Sequence, residues 1–553
     1  MLNRNRRTHR PALPAVALAA IVAAAGAPTA RAFQAVSEDW TETLMSGASH
    51  LWGATITADA ADDLYVAGSY PFAFVELAKL DRAGNLLWQV EFDHPGTREQ
   101  GSWLALDPTG NPLVSGYLVA GSSQTPSGFV TLKYDAAGNL QWSDVISYTF
   151  GRTARIASDS AGNAIVLGSA FLADASGFFS EDLVTIKYAP DGTKLWTRVA
   201  GYAAGTKDAA GGLVVDATGN VYVTGGTLGG MVTEAYDPNG GLLWRYTTSF
   251  SSTGFDIALG PSNELAICAS NSSQMAVYQL DSAGNLIWAN GYAGVLGMRL
   301  AFDSAANLVV TGYQGTGGYV DWLTHKIAPD GSLLWSATYD RHQYNDEIPY
   351  ALTIGPDDEI YVTGQGGPGP TSGNLSYLKT VTVRYAPDGN EDWYSANDWS
   401  VRGRGVVRMA DNGVATVGES TFTVFHYAQT GVWNSLGGAL AGSNGVPKLR
   451  GSGYPAGSNV VGLELTQASP LAMTWLIVGT SRIDLPFMSG TLVPAPDVVL
   501  PLTLTDVNGA LSLSDTWPDG LPSGEEWWFQ CWISDAAAPR GLAASNGVRA
   551  VSE

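Results

Sequence analysis

Side chains able to do chemistry are few in this sequence and poorly spaced for it. The chain holds six histidines, His9, His50, His94, His325, His342 and His426, and no pair has the spacing of a metal-binding His-Glu-x-x-His helix. No serine sits in a Gly-x-Ser-x-Gly elbow, and no glycine-rich loop ends in Gly-Lys-Ser/Thr. The run Gly364-Gln-Gly-Gly-Pro-Gly-Pro370 lacks the following helix that a phosphate cradle needs. Adjacent acids, Asp62-Asp63 and Asp357-Asp358, fall in turns, whereas glycosidic chemistry needs two carboxylates at a controlled separation. The five-residue Asp-x-x-Gly-Asn turns look like calcium loops, but an EF-hand draws ligands from about twelve residues and closes with a glutamate. Turn capping accounts for them better, and calcium on surface carboxylates is the secondary reading. No catalytic motif, metal centre or cofactor is expected.

The elements that would have to position a site are far better marked. Two patterns alternate from about residue 58 to 440. The first is a turn followed by a β-branched run ending in Gly. It occurs as Asp107-Pro-Thr-Gly-Asn111, as Asp159-Ser-Ala-Gly-Asn163 and, most cleanly, as Asp216-Ala-Thr-Gly-Asn220 before Val221-Tyr-Val-Thr-Gly225. The second is a strand, a tight turn and a strand carrying Trp, as in Val130-Thr-Leu-Lys-Tyr134, Asp135-Ala-Ala-Gly-Asn139, Leu140-Gln-Trp142. The indole recurs at Trp88, Trp142, Trp196, Trp244, Trp288, Trp335, Trp393 and Trp433, 40 to 58 residues apart. In the first seven copies a glycine stands four residues before the Trp; in the eighth, Gly431 stands two before Trp433.

Asp or Asn at a turn start caps its own backbone, and Gly supplies the positive φ of a tight hairpin. Each repeat therefore predicts four strands, a sheet too small to bury both faces alone. Copies packed in a ring solve that, which predicts an all-β, about eight-bladed β-propeller. An open β-solenoid is the rival, with shorter repeats and no need for one indole per unit. Trp40-Thr-Glu-Thr43 resembles an extra outer strand that could pair with the last blade and close the ring.

The Asp-x-x-Gly-Asn-x-Tyr-Val-Thr-Gly unit at 216–225 resembles the bacterial β-propeller repeat family of exported and surface proteins, over residues 50–440 or so. That resemblance implies a propeller and fixes no activity. The Gly-x-x-x-Trp spacing is similar to the tryptophan-docking motif of quinoprotein dehydrogenases and related eight-bladed assembly proteins, where it locks neighbouring blades. The quinone site does not carry over: it goes with a vicinal cysteine pair, and the two cysteines here, Cys268 and Cys531, are far apart.

Composition agrees with a folded, exported chain. Hydrophobic residues make up 45% and charged residues 14%, too apolar for disorder. Residues 1–32 read as a signal peptide: Arg4, Arg6, Arg7 and Arg10, an alanine-rich stretch at 12–25, and Ala30-Arg31-Ala32 as the cleavage site. Whether the Arg6-Arg7 pair marks twin-arginine export is left open. Removing the leader's five arginines moves the net charge from −22 to −27, which disfavours nucleic acid and anionic membranes as partners. No later segment has the length and apolarity of a transmembrane span, and the cysteines read as two buried free thiols.

After the repeats, which are assigned to 33–440, a Gly/Ser/Asn-rich linker is expected at 441–453 and a small β-sandwich at 454–553. Strands are expected at 460–465, 473–478, 498–504, 510–513 and 526–533. The Ser481-Arg-Ile-Asp-Leu-Pro486 and Thr491-Leu-Val-Pro-Ala-Pro-Asp497 segments are similar to a terminal module of large exported bacterial proteins.

Strand order puts the short repeated turns on one face of the ring and the variable connections on the other, where binding usually resides. The long second-to-third connections are expected at 121–128, 172–182, 313–319 and 365–377, and long fourth-to-first ones at 93–101 and 340–348. The candidate contacts are Phe178, Phe179, Tyr319, Trp322, His342, Tyr344 and Tyr377. The expected function is a non-catalytic, exported scaffold binding a protein or glycan through that face. The alternatives are an extracellular polysaccharide hydrolase or lyase with acids in the central channel, and a purely structural component of the cell envelope.

Overall fold

A computed structural model describes residues 40–44 and 52–552, apart from 70–73, 121–124, 174–178, 201–207, 228, 249–251, 271–273, 294, 317–318, 341–345, 367–378, 398–401, 410–412, 419–422, 428–432, 436–437, 454–459, 519–520 and 523–524. The expected leader lies outside the described residues. The chain forms two compact units, one at Glu38–Ala428 and one built on Gln429–Glu553.

The first unit is an eight-bladed β-propeller. Blades 1 to 7 are four-stranded antiparallel meanders at 52–92, 98–147, 151–200, 209–247, 253–293, 295–339 and 348–397. Blade 8 takes three strands from 403–427, and Trp40–Thr43 supplies its fourth, pairing with Thr423–Tyr427. The first strand of each blade adjoins the first strand of the next, and Gly403–Arg408 adjoins Trp52–Ala58, so the ring is closed. In the middle strands both sheet faces are buried, while the outer strands are partly exposed. In Leu64–Ser69, Leu64 and Val66 pack on Ala415, Val417 and Val424 of blade 8, while Tyr65 and Ala67 pack on Val114 and Val130 of blade 2. Successive strand residues point to opposite faces, and here each face meets a different blade.

The repeated indoles form the joints. The N–H of Trp88 donates to the carbonyl of Ala136 in blade 2 at 3.1 Å. Trp142, Trp196, Trp244, Trp288 and Trp335 likewise donate to Pro190, Pro238, Ser282, Pro329 and Pro387, each in the following blade, at 2.9–3.1 Å. The acceptor lies in the next blade's outer turn, and that turn's glycine lies under the ring. A Cβ on Gly192 would sit 2.7 Å from the Trp142 ring, and its φ of +87° disfavours a side chain in any case. One glycine thus satisfies its own hairpin and its neighbour's indole. Trp393 instead packs against Tyr427 of blade 8, 5.7 Å between ring centroids.

Trp433 does not belong to this series. Its strand, Trp433–Ser435, pairs with Val548–Val551 in the second unit. The edge it would have occupied in blade 8 is already filled by Trp40–Thr43. The expected domain boundaries shift accordingly: the second unit begins near 429, and residues 448–453, expected as linker, form a strand paired with Val460–Thr466.

A second set of contacts ties the turns to the sheets. Asp107 Oδ1 accepts the backbone N–H of Thr109 and of Asn111, while Oδ2 faces the Lys133 ammonium at 2.8 Å. Lys187 meets Asp159 and Lys326 meets Asp303 at the same distance. Lys187 and Lys326 also donate to the carbonyls of Pro238 and Pro387, which the Trp196 and Trp335 indoles use. Lysine from the chain itself thus supplies the cation beside these turn carboxylates. Blades 5 and 7 reach a related arrangement by another route. In Gly260-Pro-Ser-Asn-Glu264 and Gly355-Pro-Asp-Asp-Glu359 the fifth residue's carboxylate folds back to cap the turn. It occupies the space where a first-position Cβ would stand, so a side chain there would displace the capping carboxylate.

Among its described residues the second unit's regular elements are strands, apart from a short 3-10 turn at Pro539–Gly541. One sheet contains Met473–Gly479, Val498–Leu504 and Glu526–Ser534; the other contains Lys448–Gly453, Val460–Thr466 and Leu511–Thr516. Leu463, Leu476, Trp517, Trp527 and Phe529 share the core between them. Buried Gln530 stitches on the hairpin of Arg482–Phe487 and Gly490–Pro494: it accepts from the N–H of Val493 at 3.0 Å and donates to the carbonyls of Thr491 and Ser545. Cys268 and Cys531 are free and buried, each in a different unit.

Candidate functional site

The loop face and the channel are the two places where the propeller offers chemistry. Of the seven expected contacts, Phe178, His342, Tyr344 and Tyr377 lie outside the described residues. Phe179 and Tyr319 are 54% and 42% exposed at the starts of the third strands of blades 3 and 6. Those positions share the same end of their blades, where second and third strands meet. Trp322 must be corrected: it is fully buried, 5.5 Å from the Tyr339 ring and packed with Ile360 and Val381 of blade 7. The segment 313–319 is not a loop for most of its length, because Leu308–Thr316 and Tyr319–Ile327 pair to their ends. Alternation along the longer strand then turns Trp322 inward. The expected connections at 121–128 and 172–182 shrink in the same way, with strands running from Thr125 and to Ala173.

The channel is shaped by a device absent from the sequence reading. Each of the eight innermost strands carries a β-bulge at the same height, for example between Gly101 and Trp103, Thr153 and Arg155, Gly254 and Asp256, and Gly297 and Arg299. A bulge inserts one unpaired residue and re-aims its neighbours. Contacts then span blades that are not adjacent, which requires side chains that reach into the central space. Arg155 of blade 3 contacts Asp256 of blade 5 at 3.2 Å and donates to the Phe255 carbonyl at 3.4 Å. Its guanidinium lies 3.9 Å from the ring centroid of Trp103 in blade 2, and Arg299 of blade 6 lies 5.5 Å from the same ring. In blade 8, Arg404 sits over Tyr350 of blade 7 at 4.2 Å.

The electrostatics of this cluster are cationic. Burial, with the positive charges of Arg155 and Arg404 nearby and against the opposing charge of Asp256, pushes Arg299 down to about 10, so it remains charged at neutral pH. Its own contacts are the Met298 carbonyl at 2.7 Å and the Trp103 ring. Asp256 also accepts from the N–H of Leu300 at 3.3 Å. Among the described residues no group of three or more His, Cys, Asp or Glu has a metal-binding arrangement. His325 is buried against Tyr292, 4.6 Å between ring centroids, and burial lowers it to about 4. No described helix is long and apolar enough to cross a membrane.

No protein-family model matches the chain, and no curated protein does. It is similar to several solved structures. A streptogramin B lyase is 13% identical with a TM-score of 0.39, over 70% of this chain and 99% of that one. The WD40 β-propeller domain of Doa1 is 10% identical at 0.39, over 72% and 99%. The Dos1 propeller is 11% identical at 0.42, over 71% and 95%. The architecture rests on the strand pairing.

Proposed function

We propose that the protein is an exported, non-catalytic propeller scaffold that binds a protein or glycan through its loop face. The observation that carries this reading is the pair of exposed aromatic rings, Phe179 and Tyr319, held at the same end of two blades by long, fully paired hairpins. Aromatic rings on a rigid frame give contact area at small entropic cost. Export is supported by the leader-like composition of residues 1–32. A hydrolase or lyase would need several carboxylates converging in the channel. The carboxylate at the inner bulge of blade 5, Asp256, is engaged by Arg155.

Glycan-array and pull-down screening of the secreted protein tests the reading against a Phe179→Ala/Tyr319→Ala variant. The expected result is a ligand that the variant binds at least tenfold more weakly. Equal binding by both proteins would overturn it.

A further inference from the structure

We propose that the central channel binds the oxyanionic group of a small ligand, held by the guanidiniums of Arg299 and Arg155 beside Trp103. Two cations, Arg155 and Arg299, stand against the same indole; one carboxylate, Asp256, contacts Arg155 and acts on Arg299 only through its field. Arg155 engages that carboxylate at 3.2 Å; Arg299 makes no ion pair among the described residues. Two cations withdrawn from water around a single carboxylate are under-compensated, and an entering anion would offset that cost. The location sharpens the point. The chain carries 51 acidic residues against 29 lysines and arginines, yet its innermost contacts hold more positive than negative charge.

The chemistry of the ligand follows from the donors. A guanidinium offers a planar fork that matches carboxylate, sulfate or phosphate oxygens two at a time. Arg299 keeps part of its surface open, and Phe255, beside Asp256, is 39% exposed, so the cluster can be reached. The bridges from blade 3 to blade 5 and from blade 6 to blade 2 cross the central space at this level. A polymer would not thread past them; a small anion, or the charged end of a longer molecule, would rest on them. This site is distinct from the loop face and does not depend on binding there.

Isothermal titration of the full chain at low ionic strength, with citrate, trigalacturonate and inorganic phosphate as separate probes, tests the proposal. Saturable binding of at least one is expected, and the one that binds identifies the source of the oxyanion. Arg299→Gln should weaken it at least tenfold, and Arg299→Lys, which keeps the charge but loses the fork, several-fold. Arg82→Gln, in an exposed turn, and Phe179→Ala/Tyr319→Ala should leave affinity unchanged. The melting temperature of Arg299→Gln without ligand should equal or exceed that of the parent, because an unpaired charge has been removed. No saturable binding of any probe, or equal affinity in Arg299→Gln, would overturn the proposal.

Discussion

The ammonium of Lys187 lies 2.8 Å from the carboxylate of Asp159, with side-chain exposures of 2% and 4%. Such a pair gains less from its attraction than it would lose if broken, because the survivor stays buried and charged. Asp159→Asn keeps the turn-capping oxygen but strands the lysine, and is expected to cost about 3–5 kcal/mol in urea unfolding. Adding Lys187→Met should recover part of that loss. A single variant no less stable than the parent would show that the pair is not held apart from water.

The related pair in blade 2 sets an acid limit. Burial alone would raise the Asp107 carboxyl, but Lys133 and the Thr109 and Asn111 donors outweigh it and hold the group at about 2, below its ordinary 3.8. A carboxyl depressed on folding contributes stability that is complete above about pH 4 and disappears as the pH falls through about 2. Thermal melts between pH 5 and 2 should therefore fall steeply, and less steeply in Asp107→Asn.

Glu76 has the opposite sign. Burial raises it to about 7, against a hydrogen bond from Gln89, and one of its oxygens has no partner. The folded chain resists ionising it, so stability declines as the pH rises from about 4.5 to 7 and is constant above. Glu76→Gln should match the parent at pH 4 and melt higher at pH 8.

The blade joints are open to a direct steric test. Gly192→Ala adds a Cβ 2.7 Å from the Trp142 ring at a φ of +87°. Strain and overpacking together should cost about 2–4 kcal/mol, read from the urea midpoint. Gly96→Ala, also at positive φ but with nothing within 4 Å, should cost only the backbone term of about 1–2 kcal/mol.

Burial separates the loop-face residues from their neighbour. Trp322→Ala is expected to destabilise by about 3–5 kcal/mol, whereas Phe179→Ala and Tyr319→Ala should each stay within about 0.5 kcal/mol of the parent. Circular-dichroism melts of the three variants distinguish these outcomes.

What could be read from the chain in advance was local. A glycine at positive φ, an aspartate capping its own turn and an indole at fixed spacing each leave a mark within a few residues, so the repeats, and hence the blades, were legible. What depended on distant partners was not. The inner bulges add one residue to strands whose composition looks ordinary, and only the closed ring brings Trp103, Arg155, Asp256 and Arg299 together. Trp433 carried the right residue in the wrong place, because another segment had taken its edge. Gly260-Pro-Ser-Asn-Glu264 and Gly355-Pro-Asp-Asp-Glu359 did carry a signal, a glycine paired with a glutamate four residues on, that a search for Asp-x-x-Gly-Asn passes over.

The strand at Trp40–Thr43 has a consequence for how the molecule is made. Thr43 meets its partner Thr423 across 380 residues of sequence. On a ribosome Trp40–Thr43 must therefore wait for nearly the whole ring to be synthesised before it finds its place. Without that strand Thr423–Tyr427 has an unpaired outer edge, the kind that recruits strands from other chains. Cutting the chain back beyond Thr43 would leave that edge permanently bare, and the injury would show up in the last blade, not the first.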